Sequence, residues 1–481
     1  MIRSFAILGL ALLFPLLAEA QSLQDKVDNF VRDYSLRHAN ISVCVIDIAA
    51  HRIVAEHRAE HVVAPASTLK AVTTATALSV LGPNFRFPTE LQHDGSIAGG
   101  RLNGNIYIKG YGDPTLGAGE IDGNPDLDGI MDKFRAAIAD KDIKAITGSI
   151  IGDGSFYDSQ GAVDSWQWAD LGNYYGVSAR GLNINDNEYT LYFARSSRVG
   201  ATPRIARIDP EIPWMEFVNE VKQAGPRTGD QAYIYGSPYT YLRYVRGTIP
   251  AGSSTFDIKG SVPDPPLLAA RELRLALERD GITVANGEST VQSGINSTRR
   301  RIIMRHRSPA LSDIVERTNM RSVNMYCEAM VKEIGRQKKE KGSTEAGTEA
   351  ILEYWAERGV PVEGITLADG SGLSRANAVS ARFLAEVLRK VALDQIVFPI
   401  LRSSLPRAGY SGNLNGKFRN TSAYGKLYAK SGTLGNVRGY TGYFTGANGR
   451  EYSFAILVSD YTSSGGAMRR RMDGLMQAFC E

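Results

Sequence analysis

Cysteine is nearly missing from this chain. Its 481 residues hold three, Cys44, Cys327 and Cys480. Three make no disulfide scaffold, and an odd count in an oxidising compartment leaves at least one thiol free or paired between chains. No C-x-x-C spacing occurs, and the six histidines are scattered without an H-E-x-x-H pattern, so a zinc peptidase has little support. An excess of one charge is lacking too. The 55 basic and 51 acidic side chains are interspersed rather than blocked, which makes nucleic acid an unlikely partner. There is no internal repeat, no low-complexity linker and no long apolar run beyond the first residues.

Those first residues are present for a different reason. Met1-Ile2-Arg3, the apolar run Phe5 to Leu17 and the small-residue exit Ala18-Glu19-Ala20 form the pattern of a cleavable secretory signal peptide, residues 1–20. The run is shorter than the roughly 20 apolar residues of a spanning helix, so cleavage is expected rather than anchoring. The length suggests two to three domains, because single cores rarely grow past about 250–300 residues.

Alternation over Ile41 to Asp47 and Ile53 to His57 predicts a hairpin, and Gly439 to Phe444 with Tyr452 to Val458 predicts a second around Asn448-Gly449. A helix over Gly465 to Phe479 closes the chain. The simplest burial of these half-apolar strands is one antiparallel sheet shared by the two ends, with helices packed on it. If the ends meet in this way, Cys44 and Cys480 come within reach of a disulfide. Cys327 reads as a small buried apolar residue. Between the ends, Leu102 to Lys109, Ala145 to Gly152 and Tyr189 to Phe193 read as strands of an inserted region. The expected organisation is 21–90 with 300–481 as a discontinuous domain and 91–299 as a β-rich insertion.

Three short strings carry chemistry. Ser67-Thr68-Leu69-Lys70 is the only S-x-x-K in the chain, and Lys430-Ser431-Gly432-Thr433 opens on its only K-[ST]-G. Ser322-Val323-Asn324 lies between them, with Ser411-Gly412-Asn413 as its one rival. Together and in this order they read as an acyl-serine site. Ala66 to Leu78 has helical spacing, so Ser67 and Lys70 share a helix face and the amine can approach the hydroxyl. A lysine acts there as a base only when neutral, a state that burial and a second cation such as Lys430 both favour. Ser322 and Asn324 are expected in a break over 318–324 between two helices, where a turn aims both at one cleft. Strand Leu427 to Lys430 runs into the third motif, and Gly432 leaves room for a substrate backbone along the edge. Ser411-Gly412-Asn413 sits in a glycine-rich loop without a helix on either side and is set aside.

On these residues the chain resembles the penicillin-recognising serine acyl-enzymes. Within them it is similar to the peptidase S13 family of D-alanyl-D-alanine carboxypeptidases/endopeptidases, the penicillin-binding protein 4 type. The long interval from Lys70 to Ser322 is the discriminating feature. Trp166-Gln167-Trp168-Ala169-Asp170 through Gly176 resembles the family's tryptophan-rich segment, and Asp369-Gly370-Ser371-Gly372-Leu373-Ser374-Arg375 its D-G-S-G-L-S-R loop. Ser431 stands where threonine is commoner and keeps the hydroxyl.

The resemblance implies an α+β fold: a penicillin-binding, serine β-lactamase-like domain, an antiparallel sheet with helices on both faces, carrying a large β-rich insertion. It implies Ser67 as nucleophile, Lys70 as proton acceptor, Ser322 as proton relay and Asn324 as holder of a substrate amide. Lys430, Ser431 and Thr433 would bind the terminal carboxylate, with Gly432 between them. Asp170 and Arg375 would grip the ends of a diaminopimelate side chain. The implied substrate is a peptidoglycan stem peptide ending in D-Ala-D-Ala, with β-lactams as covalent inhibitors, no cofactor, no metal, and a periplasmic location. Two alternatives stay open: a serine β-lactamase, for which no glutamate motif can be placed, and a non-catalytic wall-binding or regulatory protein.

Overall fold

A computed structural model describes residues 23–177, 179–291 and 299–481, so the signal-peptide expectation for 1–20 lies outside the described residues. The chain divides into two units. One comprises the residues up to Pro83, Val315–Ser322 and Thr348–Glu481; the other comprises Asn84–Ile314 and Val323–Gly347. The segment Val323–Gly347 thus belongs with the long middle region rather than with the flanks that sequence reasoning joined.

The first unit is built on five strands: β1 (Asn40–Asp47), β2 (Arg52–His57), β3 (Leu427–Leu434), β4 (Val437–Thr445) and β5 (Glu451–Ser459). They pair antiparallel throughout in the order β2-β1-β5-β4-β3, so β1 lies beside β5 and the two ends of the chain share one sheet. Three helices matter for the site: α1 (Lys70–Leu81), α2 (Ala381–Ala392) and α3 (Gly465–Phe479). Val43, Val45, Ile456 and Val458 point from one face into a core shared with Met468 and Phe479 of α3 and with Val27 and Phe30 from the helix over 23–31. The opposite face carries hydroxyls, and three of them meet groups on or beside α2. Ala381 N donates to Ser42 Oγ (3.1 Å), Ser453 Oγ to Ala385 O (2.9 Å) and Tyr443 Oη to Leu388 O (2.9 Å). Such pairing is what allows buried polar side chains there at all.

Period-two alternation also decides the cysteines. Cys44, between Val43 and Val45, faces the α2 side, whereas Cys480 belongs to the α3 core on the other side of the sheet. All three cysteines are free and buried, so the Cys44–Cys480 bridge does not form. Burial pushes the Cys44 thiol well up and the Cys480 thiol up to about 12.

Among the described residues the second unit is β-rich, with four sheets and three long helices, Leu127–Ala139, Pro265–Arg279 and Asn324–Lys339. Two expected strands are each split. Leu102 to Lys109 becomes Arg101–Asn103 and Ile106–Gly110, and Ala145 to Gly152 becomes Ala145–Ile146 and Ile150–Asp153, with the halves in different sheets. The switch points are glycines that approach each other: Gly148 N donates to Gly104 O (2.9 Å). A Cβ on Gly148 would stand 2.5 Å from that same oxygen, so the crossing needs a bare backbone.

Asp113 in this unit is a buried carboxylate with an uneven set of partners. Its Oδ1 accepts from Thr115 N and Thr115 Oγ1, both at 2.8 Å, while Oδ2 has no partner among the described residues. Burial raises its pKa to about 6. The folded protein therefore keeps a proton that the unfolded chain has already lost, and this group erodes stability as pH rises from about 4 through 6. Asp113→Asn keeps an acceptor for Thr115 and removes the charge. It is expected to gain on the order of 2 kcal/mol over wild type at pH 8 and little at pH 4, read from denaturant midpoints. An equal change at both pH values would remove the ionisation as its cause.

Candidate active site

The site grows from the turn before α1. Ala66–Leu69 is a 3₁₀ turn following Pro65, and the α-helix begins only at Lys70. The expected helix from Ala66 thus starts one turn tighter, a geometry in which residues three apart eclipse. Ser67 and Lys70 are such a pair. Lys70 Nζ lies 2.9 Å from Ser67 Oγ and donates to Ser371 O at 2.6 Å, with the whole lysine side chain buried. Ala66 is held at φ +48°, a left-handed conformation that costs of the order of 1–3 kcal/mol for a non-glycine residue.

Two glycines press on this turn from different parts of the chain. A Cβ on Gly432 of β3 would stand 2.7 Å from Pro65 O and 2.9 Å from the nitrogens of Ser67 and Thr68. One on Gly372 would stand 1.9 Å from Ala66 O. The glycine of the third motif is therefore required by the turn carrying Ser67, a tighter reason than room for a substrate backbone. Gly372 belongs to the loop over 369–375, which Asp369 organises. Its Oδ1 accepts from Gly372 N (2.8 Å) and Asn377 Nδ2 (2.8 Å), and its Oδ2 accepts from Ser374 N (2.6 Å). That frame fixes the Ser371 carbonyl on Lys70 and the Gly370 carbonyl on Thr73 Oγ1 (2.6 Å).

The second lysine–serine pair joins the other two motifs. Lys430 Nζ donates to Ser322 Oγ at 2.9 Å and to Ser431 O at 3.0 Å, and Lys430 is 2 % exposed. Ser322 stands at φ +61° in the break between helices Leu311–Arg321 and Asn324–Lys339. The break is shorter than expected: residues 318–321 remain helical, and Asn324 opens the next helix instead of sharing the turn. Half-buried Ser431 and exposed Thr433 follow Lys430 along β3. The exposed guanidinium of Arg375 lies beside the β3–β4 turn, its Nη2 2.9 Å from where a Cβ on Gly435 would be.

Asn324 and Asp170 are found together in the second unit. Asn324 Nδ2 donates to Tyr175 O at 2.6 Å, and Tyr175 is hydrogen-bonded to Asp170. Burial, with the Asp170 charge next, pushes the Tyr175 phenol well up. Of the aromatic segment, Trp166 is buried, while Trp168 and Tyr174 are 53 % and 49 % exposed, more than a core role would leave in water.

The model of one protein family, described as D-Ala-D-Ala carboxypeptidase 3 (S13), matches residues 23–479. The chain belongs to that family. It is 27 % identical to a D-alanyl-D-alanine carboxypeptidase of Actinomadura sp. (strain R39) over 464 residues, 93 % of this chain and 84 % of the relative. The crystal structure of penicillin binding protein 4 from Haemophilus influenzae superposes with a TM-score of 0.81 at 23 % identity, covering 94 % of this chain and 97 % of that one. The same protein complexed with a β-lactam superposes at 0.75 and 21 % identity, with the same coverage. These likenesses establish the penicillin-binding fold expected from the motifs.

Two contributors to this S13 site escaped sequence reasoning. The Ser371 carbonyl is a backbone atom, and only the D-G-S-G pattern around it hinted at a role. Asn413, from the motif set aside, places its Nδ2 2.5 Å from Ser431 Oγ. Nothing local in a glycine-rich loop announces which strand it will fold beside.

Proposed function

We propose that this S13 protein is a serine D-Ala-D-Ala carboxypeptidase, with endopeptidase activity on peptide cross-links, that works through an acyl-Ser67 intermediate. The observation that carries the reading is the buried Lys70 amine at hydrogen-bond distance from Ser67 Oγ. In its neutral form that amine accepts the hydroxyl proton as Ser67 attacks the carbonyl of the penultimate D-Ala. Main-chain N–H groups of Ser67 and Thr433 receive the developing oxyanion, a donor pair in which each member is worth about 3–4 kcal/mol of barrier. Ser322, bonded to Lys430, passes a proton to the departing amine of the terminal D-Ala. Water then hydrolyses the ester. No step calls for a cofactor.

Lys430, Ser431 and Thr433 hold the terminal carboxylate, which a cation flanked by hydroxyls suits. Asn324 holds an amide of the stem peptide. Arg375 offers a planar fork to the carboxylate of a diaminopimelate side chain, and Asp170, in the second unit, offers an acid suited to an amine. β-Lactams acylate the same serine. The substrate places the mature protein in the periplasm, in keeping with the leader-like first 20 residues. No helix among the described residues is long and apolar enough to cross a membrane.

The test is D-Ala release, followed by mass, from a diaminopimelate-containing pentapeptide and from a simple acyl-D-Ala-D-Ala peptide. Wild type is expected to cleave both and to prefer the first. Arg375→Ala is expected to lower kcat/KM on the first by about 10- to 100-fold, the value of a charge-assisted hydrogen bond, with little change on the second. An unchanged ratio would remove the side-chain pocket, and no release from either peptide would remove the carboxypeptidase.

A further inference from the structure

Strand β3 has company on the edge that β4 leaves open. Ala408 N donates to Leu427 O and Ala429 N to Pro406 O, both at 2.9 Å, so residues 406–409 run beside the start of the strand. The chain then makes a single turn, Gly412–Leu414, in which Gly409 N donates to Leu414 O (3.0 Å) and Arg407 N to Ser411 Oγ (3.0 Å). Leu414 is fully buried in the core of the unit. Gly412 stands at φ +55°, and a Cβ there would lie 2.7 Å from Pro406 Cγ. Between this constrained glycine and the anchored leucine, Asn413 is turned outward onto the hydroxyl of the third motif.

We propose that Asn413 is a positioning residue for carboxylate recognition, setting the hydrogen-bond direction of Ser431. The inference rests on the carboxypeptidase reading above and deepens it. A serine hydroxyl has one hydrogen to give and two lone pairs to receive with. The Asn413 amide N–H can only donate, so it occupies a lone pair of Ser431 and leaves the serine hydrogen for an acceptor elsewhere. Lys430, the preceding residue, supplies the positive charge that draws an anionic acceptor to that place. With the reverse polarity, an oxygen at position 413 would consume the serine hydrogen, and the carboxylate would meet only lone pairs.

The variants Asn413→Ala and Asn413→Asp separate these states, because an ionised aspartate accepts and cannot donate. The substrates are two thioesters of one acyl-D-Ala group that differ only in the leaving group, which carries a free carboxylate in one and a carboxamide in the other. For the carboxylate thioester, kcat/KM is expected to fall about tenfold in Asn413→Ala and about 100-fold in Asn413→Asp. The fall should reside mainly in KM, and Asn413→Asp should recover as the pH is lowered toward the aspartate range. The carboxamide thioester should change by less than about threefold in both variants, and Asn413→Ala should add nothing to Ser431→Ala, since the two act as one unit. Equal losses on both thioesters, or independent effects of the Asn413 and Ser431 substitutions, overturn the proposal while leaving the carboxypeptidase intact. A wild-type protein that cleaves neither thioester removes the underlying reading and this inference with it.

Discussion

Replacing Ser67 with alanine yields a folded protein that takes no label from a fluorescent penicillin and loses D-Ala release by on the order of 10⁶-fold in kcat. The size follows from what is removed. Without the hydroxyl there is no atom to form the ester, and the lysine that would activate it has nothing to deprotonate. The fold should survive, since Ser67 is half-buried and Lys70 keeps the Ser371 carbonyl as a partner. Labelling of wild type and Ser67→Ala to the same extent would end the assignment of the nucleophile.

Lys70→Arg is the second large effect, and it separates charge from basicity. Arginine keeps the cation, but its guanidinium stays protonated and cannot take the serine proton. Acylation by penicillin is therefore expected to slow by about 10³- to 10⁴-fold, within the range of a lost general base. Lys70→Ala should fall as far, although the serine remains in both. Stopped-flow or gel-based labelling rates measure this, with a thermal melt to show that the buried substitution has not unfolded the protein. Retention of rate within tenfold in Lys70→Arg would mean that another group accepts the proton.

Much of this was legible before any coordinates. The first terminal hairpin announces itself by alternation around Val43 and Val45 and the second by an Asn-Gly turn, and their pairing follows from the need to bury the half-apolar faces. The S-x-x-K spacing places a lysine over a serine by helix geometry alone, whether the turn is α or 3₁₀. What escaped has a common cause. The glycine-rich loop carrying Asn413 reaches Ser431 through strand-like bonds between residues some 20 positions apart, and no local pattern encodes that partner. Residues 318–321 are expected in the break before helical spacing resumes at Met325, yet they stay helical and the turn falls at Ser322. In the sequence Gly432 suggests room for a substrate backbone, whereas its nearest constraint is the backbone of Pro65 to Thr68. The strands around Gly104 and Gly148 looked continuous because a change of sheet leaves no mark on hydrophobic alternation.

The two glycines that grip the turn carrying Ser67 also bear on where this site can vary. With main chain on both sides at contact distance, neither position tolerates even a methyl group without shifting the backbone around Ser67. Variation is thereby steered outward, toward exposed positions such as Arg375, Asn413 and Thr433, where a new side chain meets solvent instead of main chain.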